Sequence, residues 1–482
     1  MQGTNRFHRP VKPAMAPCAG LLLVASALAG CATPRVALPD SHLEIPQQWQ
    51  IAQASERSLD LASYWRLLDD PLLTEFVETA VANNLDLAQS AARLEQARAQ
   101  LAGARAGWFP QLSASGRATR EFGDFATDDT QLNLGADASW EIDLFGRIGS
   151  EVAASEADLA TAGYSLADLQ RLVTGQVALA TISARATALQ LAIARDTLAY
   201  QDENLQIARW RVQAGLVSSL DVEQARTQRA ATAATIPQLE ANLVATTNAI
   251  STLIGEPPGR VHALLVDSAE AVPVPPPLAG FEAPGEVLRR RPDVRAAEAA
   301  LLAAAARVRG AQAQLLPLVQ LGGMIGFPGT GFGNLFDIVT GSLFGSVSQL
   351  IFDGGRTQAR VDSAEAAAQG ALAAWQLSVL GALEEVETAA VDLEKSAERV
   401  TIQNEALDAA NNSALLARSQ YQAGLTDFRN LLTSENALLQ ARNAVVAAQA
   451  ERASAFVRLT QALGGGWAPH DYPLPASDRN RS

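Results

Sequence analysis

Two cysteines and four histidines in 482 residues leave little from which to build a His/Cys metal cluster. No GxSxG, HExxH, Walker or GxGxxG stretch occurs in a context that would support catalysis, so no enzyme is expected. Basic residues are outnumbered 51 to 37, for a net charge of −14. That sign excludes a phosphate-binding surface and with it nucleic acid as a partner. Aromatics are only 5% and charged residues 18%, while 48% of the chain is hydrophobic, much of it alanine. Such a composition suits closely packed helices better than a large aromatic core. Beyond the first thirty residues no run of eighteen uncharged apolar residues occurs, so no spanning helix stands out. Proline is missing from 111–236 and again from 329–468.

The N-terminus has Arg6, Arg9 and Lys12 ahead of the apolar "AGLLLVASALAG". A basic stretch before a short apolar one is the pattern of a signal peptide and is too short to span a bilayer. It runs into "LAGC", ending at Cys31, which resembles a bacterial lipobox, where the cysteine becomes the lipidated mature N-terminus. An ordinary signal peptide cut near "SALAG", with Cys31 incidental, is the alternative. Ala32 after the cysteine favours, by family analogy, sorting to the outer membrane. Removing 1–30 takes away Cys18 and three positive charges, leaving a net charge of −17 and no internal disulfide. Residues 31–60 read as a tether outside the fold.

The chain repeats itself. "VQAGLVSSLDV" and "YQAGLTDFRNL" place Gln213 and Gln422 209 residues apart. Ile254-Gly255 and Leu463-Gly464 recur at the same offset, as do Arg147 of "DLFGR" and Arg356 of "FDGGR". Upstream, Asp86, Gly103 and Pro110 align with Asp293, Gly310 and Pro317 at 207. A two-residue drift across a loop is what a tandem duplication shows. The expected division is 61–255 and 292–466 for the repeats, 256–291 for a Pro-rich linker and 467–482 for a tail.

In the second proline-free window, Leu372, Val379, Val386, Leu393, Val400, Leu407, Ala414 and Tyr421 recur every seven residues. Trp375, Ala382, Ala389, Ser396, Gln403, Ala410 and Ala417 follow three places later. A heptad predicts a helix coiling against neighbours, here over 356–423, on the order of 100 Å at about 1.5 Å per residue. Gly215 and Gly424 then stand where a helix ends in the left-handed conformation. The Ser, Thr and Asp residues that follow offer caps for a returning helix. Each repeat is expected to carry one hairpin of long antiparallel helices. The linker, with "EPPG" and "VPVPPPLAGFEAP", is too Pro-rich for a helix and should lie along the outside of the helices. A Pro-rich ligand for a partner is the sharper reading of it.

Strands are the remaining candidates for the membrane. In "QLNLGADASWEIDLF", Leu132, Leu134, Ala136, Ala138, Trp140, Ile142 and Leu144 alternate with Asn133, Gly135, Asp137, Ser139, Glu141 and Asp143. A soluble sandwich shows such alternation too. The acids Asp137, Glu141 and Asp143 fit a wet barrel lumen with lipid outside. Residues 111–122 should be its partner, and "LVQLGGMIGF" and "GSVSQLIF" two further strands flanking a Gly-rich loop. Closure needs about eight strands. Four per chain therefore require several copies; three would supply twelve.

These stretches resemble the TolC-like outer-membrane efflux factors, in their lipoprotein branch of the OprM/NodT type. "LAGC", "GWFPQLSASG", "WEIDLFGR", "QAGLVSSLDVEQAR", "LRRRPDVRAAEAAL", "IFDGGR" and "ALGGGW" carry the resemblance and run in family order. It implies an α+β membrane protein: a homotrimer with a twelve-stranded outer-membrane β-barrel continued by a periplasmic α-helical barrel, lipid-anchored at Cys31. It further implies the exit duct of a tripartite efflux machine, with a periplasmic adaptor protein and an inner-membrane RND pump as partners and no cofactor besides the covalent lipid. An exit for proteins serving an ATP-driven (type I) exporter is the alternative within this architecture, and a poreless periplasmic coiled coil the alternative outside it. Relatives close the periplasmic end with aspartates just past the second turn; here Asn430 and Thr433 stand there. Asp221, with Glu223 beside it, and Asp427 are the acids left for a constriction, and helix capping is the other role for Asp221.

Overall fold

The computed structural model describes residues 43–50, 61–124, 129–267, 271–277, 280 and 282–468. The signal peptide, Cys31 and most of the tether lie outside the described residues. In chain order the elements are α1 (Pro71–Asn83), α2 (Leu85–Ala106), β1 (Gln111–Thr119), β2 (Gln131–Ile142), α3 (Arg147–Gln213) and α4 (Ser219–Leu253). Then come α5 (Arg260–Asp267), α6 (Pro284–Arg290), α7 (Pro292–Ala313), β3 (Leu318–Thr330), β4 (Thr340–Ser348), α8 (Arg356–Gln422) and α9 (Phe428–Ala462). Both ends of α3 and α4 recur in α8 and α9 at an offset of 209, and both ends of α2 recur in α7 at 207. At 67 residues each, α3 and α8 run about 100 Å.

The chain divides into two compact units. One, formed by 100–155 and 302–370, holds a four-stranded antiparallel sheet in the order β1-β2-β3-β4. β2 pairs with β3 from Gln131↔Thr330 to Ile142↔Val319, so the halves of the chain join edge to edge here. Two strand ends differ from the sequence reading. β1 stops at Thr119, short of Phe122. β4 covers Thr340–Ser348 rather than 345–352, because residues counted into the Gly-rich loop continue the ladder, down to Thr340↔Gly326. Pro328 lies within β3, beyond the reach of β4, where the strand is an edge and tolerates proline.

The other unit, 41–99, 156–301 and 371–482, is helical. Its main core joins Tyr64, Leu73, Phe76, Val77, Val177, Ile182, Leu243, Ile250, Phe456 and Val457. The heptad on α8 marks the buried side: Val379, Val386, Ala414 and Tyr421 are all within 3% of full burial. α3 and α8 each contain a window apolar enough, by composition, to cross a membrane, which a search for uncharged runs passes over. A helix of 67 residues is more than three times the ~20 that span a bilayer, and half of the α3 window is buried inside the chain.

Two segments correct the reading of tether and linker. Residues 43–50 join the helical unit: Trp49 is buried among Val287, Val386 and Leu459 and donates to the Glu282 carbonyl at 2.7 Å. One indole outweighs the polar composition around it. The linker holds two short helices, α5 and α6. Val261 and Leu265 bury one face of α5 in the main core, and Pro284 opens α6 at a position that needs no N–H. The proline run between them, described over 271–277, is neither helix nor strand; Val272 enters the core, and the Pro275 carbonyl accepts from Arg452 of α9 at 3.4 Å.

Candidate functional site

Directly paired residues of an antiparallel ladder point to one side, so the register sorts the sheet into two faces. One face carries Leu112 and Ala114 on β1, Leu134, Ala136, Ala138 and Trp140 on β2, Leu321, Ile325 and Phe327 on β3, and Leu343 and Val347 on β4. Every residue of this face is apolar or glycine. The opposite face carries Ser113, Ser115, Arg117, Asn133, Asp137, Ser139, Gln320, Ser342 and Ser346, interrupted by Leu318, Met324, Pro328 and Phe344. The apolar face is open: Leu112 is 81% and Leu343 88% exposed. Among the described residues both outer strands have a free edge. An open apolar face with two unsatisfied edges is unstable in water.

The three acids assigned to the lumen differ in their surroundings. Asp137 is exposed on the polar face between Ser113 and Met324. Glu141 holds Arg147, the first residue of α3, by two hydrogen bonds of 2.7 and 2.6 Å. Asp143 lies past the end of β2, and its Oδ2 accepts from the Gly149 amide at 2.7 Å. Both therefore secure the strand-to-helix corner. Asp353 does the same before α8, accepting from the amides of Gly355 and Thr357 and from the Thr357 hydroxyl. These bonds hold its carboxyl below the usual range.

In the helical unit the two hairpin turns are built alike. Gly215, at φ 69°, donates to the Val212 carbonyl, and Leu216 reaches back to Arg211. Gly424, at φ 74°, donates to Tyr421, and Leu425 to Gln420. This is the double closure in which a left-handed residue ends a helix, and a Cβ there would be strained. The returning helices start on equivalent caps. The Ser218 hydroxyl accepts from Leu220 N at 3.2 Å, and Asp427 Oδ1 from Asn430 N at 2.9 Å. Asp427, a candidate for the constriction, is thus the N-cap of α9. Asp221 is not the cap of α4 but a first-turn acid, half-buried, and Glu223 is exposed, 3.9 Å from Arg226.

Below the turns the two hairpins meet in a cluster of Leu205, Ala225, Ala417, Tyr421, Phe428 and Leu431. The Arg211 guanidinium lies 4.4 Å from the Tyr421 ring centre. Deeper, buried Glu435 accepts from Arg418 Nε at 3.0 Å and from Asn204 at 2.8 and 2.9 Å, joining α3, α8 and α9 through one carboxylate. Sequence reasoning missed this group. Its signal was an acid on the apolar stripe of Phe428, Leu431 and Leu438, at the spacing of a buried position.

A second polar cluster lies where α9 ends. Arg291, 1% exposed, pairs with Asp293 and Glu385, both at 2.6 Å, and donates to the Ala462 carbonyl at 2.9 Å. Its counterpart at 207 is Asn84, which donates to Leu253, the equivalent carbonyl at the end of α4. Nearby, Arg171 holds Asp168 at 2.7 Å. Burial raises the Asp168 carboxyl, against the pull of Arg171 and with repulsion from Asp293. Burial also opposes the charge on Asp293, but its bond to Arg291 and the charges of Arg291 and Arg171 outweigh it and hold that carboxyl low.

The family model described as "Outer membrane efflux protein" matches residues 76–256 and 283–465. The chain is 30% identical over 463 residues to the pyoverdine export outer membrane protein OpmQ of Pseudomonas putida, covering 93% of this chain and 97% of that one. It is 28% identical over 459 residues to nodulation protein T of Rhizobium leguminosarum bv. trifolii, covering 92% and 96%. Among solved structures it resembles the outer-membrane channel OprN, with a TM-score of 0.80 at 34% identity, over 89% of this chain and 99% of that one. The fold also matches VceC of Vibrio cholerae, with a TM-score of 0.78 at 24% identity over 85% and 100%. By these matches the chain belongs to the outer membrane efflux protein family.

Proposed function

We propose that this chain is the exit duct of a tripartite efflux system, exporting small toxic compounds across the outer membrane. The observation that carries the reading is the sheet: one face apolar across all four strands, and a free edge at each side. Lipid satisfies the face, and only further strands satisfy the edges, since an open edge is not tolerated in hydrocarbon. Three copies give a twelve-stranded barrel, with Asp137 facing its water-filled interior. The equal spacing of helix ends reads as a duplicated hairpin unit, six of which would form the helical barrel in the periplasm. A periplasmic adaptor and an inner-membrane RND pump complete the machine. Cys31 carries the lipid anchor; no other cofactor is called for. The relatives' printed cargoes, pyoverdine for OpmQ and cations for the Escherichia coli protein CusC, differ. Cargo choice therefore belongs to the pump. The test is reconstitution of the purified protein in planar bilayers, with its mass measured in detergent. Discrete conductance steps from a trimer support the reading. A monomer without conductance refutes it.

A further inference from the structure

All four strands meet their helices at one end of the sheet, and the β3–β4 loop, residues 331–339, lies at the other. That loop does not stand clear of the sheet. Gly331, at φ 93°, turns the chain in a conformation that favours glycine, and its amide donates to the Thr130 carbonyl at 3.0 Å. A 3-10 turn over Phe332–Asn334 follows, and Asn334 donates to the Thr330 hydroxyl at 3.2 Å. The chain then lies back on the strand: a Cβ added to Gly329 would meet the Leu335 Cα at 2.7 Å. Gly329 pairs with Leu132, so the side it turns to the loop is the apolar face. Phe336 continues the contact, its ring centre 5.5 Å from that of Phe327 on the same face. Leu132 and Leu335 are buried by this, whereas Leu134, the next residue along that face of β2, is 39% exposed. The loop is folded over the apolar face, away from the polar one.

The outward surface of the loop is apolar too. Phe332, Phe336, Ile338 and Val339 are all more than half exposed. Between Gly310 and Phe352 the only charged residue is Asp337. The β1–β2 loop at the same end carries Arg120, Glu121, Asp124 and Asp129 within ten residues. One loop has the composition of a water-facing turn, and the other does not. The apolar face of β3 runs from Val319 to Gly329, ten steps of ~3.4 Å each. At a strand tilt of ~40° that is a height of about 25 Å, the whole of an outer-membrane apolar band. The loop therefore sits at the edge of the band, at the level of the headgroups, where one aspartate costs little.

We infer that the β3–β4 loop is a lipid-binding wedge, seated among the headgroups and upper acyl chains of the outer leaflet, outside the barrel wall. The inference rests on the membrane-barrel reading above and adds a contact that the strands do not make. Lipid is the occupant this surface fits, because the loop continues the face that the strands give to hydrocarbon. It also carries no basic group with which to hold the acids or phosphates of another partner. Withdrawing Phe332 and Phe336 into water would re-expose their rings, and sinking them deeper would carry Asp337 into hydrocarbon. The pair of constraints fixes the depth of the outer rim. A loop committed to lipid in this way is not available to plug the mouth of the barrel.

The experiment attaches an environment-sensitive fluorophore to the full chain through Phe332→Cys, Ile338→Cys, Leu343→Cys or Ser342→Cys. Each is reconstituted in phosphatidylcholine vesicles containing lipid spin-labelled either near the headgroup or near the acyl end. The unsubstituted chain, treated alike, gives the background. Leu343 lies mid-strand on the apolar face, and Ser342 beside it on the polar one. The expected result is several-fold stronger quenching at Phe332 and Ile338 than at Ser342, greatest with the headgroup-level label. Quenching at Leu343 should be greatest with the deep label. A second variant, Gly329→Leu, puts a side chain where the loop backbone lies. It should cut the quenching at Phe332 and Ile338 and leave that at Leu343, the check on insertion, unchanged. If Leu343 is quenched while Phe332 and Ile338 match Ser342, or if Gly329→Leu changes nothing at the loop, the wedge is overturned and the barrel reading stands. If Leu343 is not quenched in the unmodified background, the barrel reading itself falls and the wedge with it.

Discussion

Replacing Arg291 tests whether the two repeats solve one structural problem by different means. Arg291 is 1% exposed, whereas its partners Asp293 and Glu385 are 26% and 58% exposed. Removing one member of a fully buried pair costs about 3–5 kcal/mol. Here water reaches both carboxylates once the arginine is gone, so the Glu385 part falls to the surface range of about 0–1 kcal/mol. The Ala462 carbonyl loses its donor, worth about 1 kcal/mol. Arg291→Ala should therefore cost about 2–4 kcal/mol in all. Arg291→Asn imports the solution of the first repeat. There Asn84 donates to the Leu253 carbonyl at 2.8 Å while its own oxygen accepts from the amides of Asp86 and Leu87. Asn at 291 should recover the carbonyl bond and cap α7, losing roughly half as much as alanine. The Asp293 carboxyl is held low, so its contribution is present above the unfolded carboxylate value and lost as pH falls through its folded value. The penalty of Arg291→Ala should accordingly shrink below about pH 4. The assay is thermal loss of far-UV circular dichroism for wild type and both variants in detergent, at one scan rate and several pH values. Equal losses for alanine and asparagine, or an alanine penalty that does not change with acid, would refute the reasoning.

Val386 is fully buried between Trp49, Val287 and Leu459, so Val386→Asp should cost about 3–5 kcal/mol or abolish folding, read as loss of the thermal transition. Cys31→Ser should remove the acyl groups from the mature N-terminus, and mass spectrometry of an unmodified Cys31 in the wild type would end the lipid-anchor reading. Asp221 does not cap α4, so Asp221→Ala should leave thermal stability within about 0.5 kcal/mol, while single-channel conductance rises and cation preference falls. Asp427→Ala should do the reverse, costing about 1 kcal/mol through the lost cap with little change in conductance. The two residues separate gate from cap, and a stability loss confined to Asp221→Ala would sink that assignment.

What the sequence made legible follows from periodicity and from internal comparison. The heptad on α8, the glycines at both turns and the alternation on β2 are local patterns, each with a single physical cause, and each lies where it was expected. Comparison at 209 removed most of the remaining ambiguity, because a coincidence of one pattern becomes improbable when its copy sits in the other half. What stayed illegible depends on cover that no local pattern records. Trp49 turns a presumed tether into part of the core, and Val261 and Leu265 make a helix where prolines crowd on both sides. Pro237 lies inside α4 without ending it, though its ring removes a helix bond at a cost of about 3 kcal/mol. Pro237 is exposed, on the face of α4 away from Leu243 and Ile250, which are buried in the main core, and that packing offsets the loss. The corresponding residue of α9 is Val446, so the two copies form a helix of the same 35 residues with and without the proline. Differences between the halves therefore inform more than their likeness does. Where the copies agree, as at Gly215 and Gly424, backbone geometry sets the residue. Where they diverge, as at Asn84 and Arg291 or at Asp168 and Leu377, the neighbours differ.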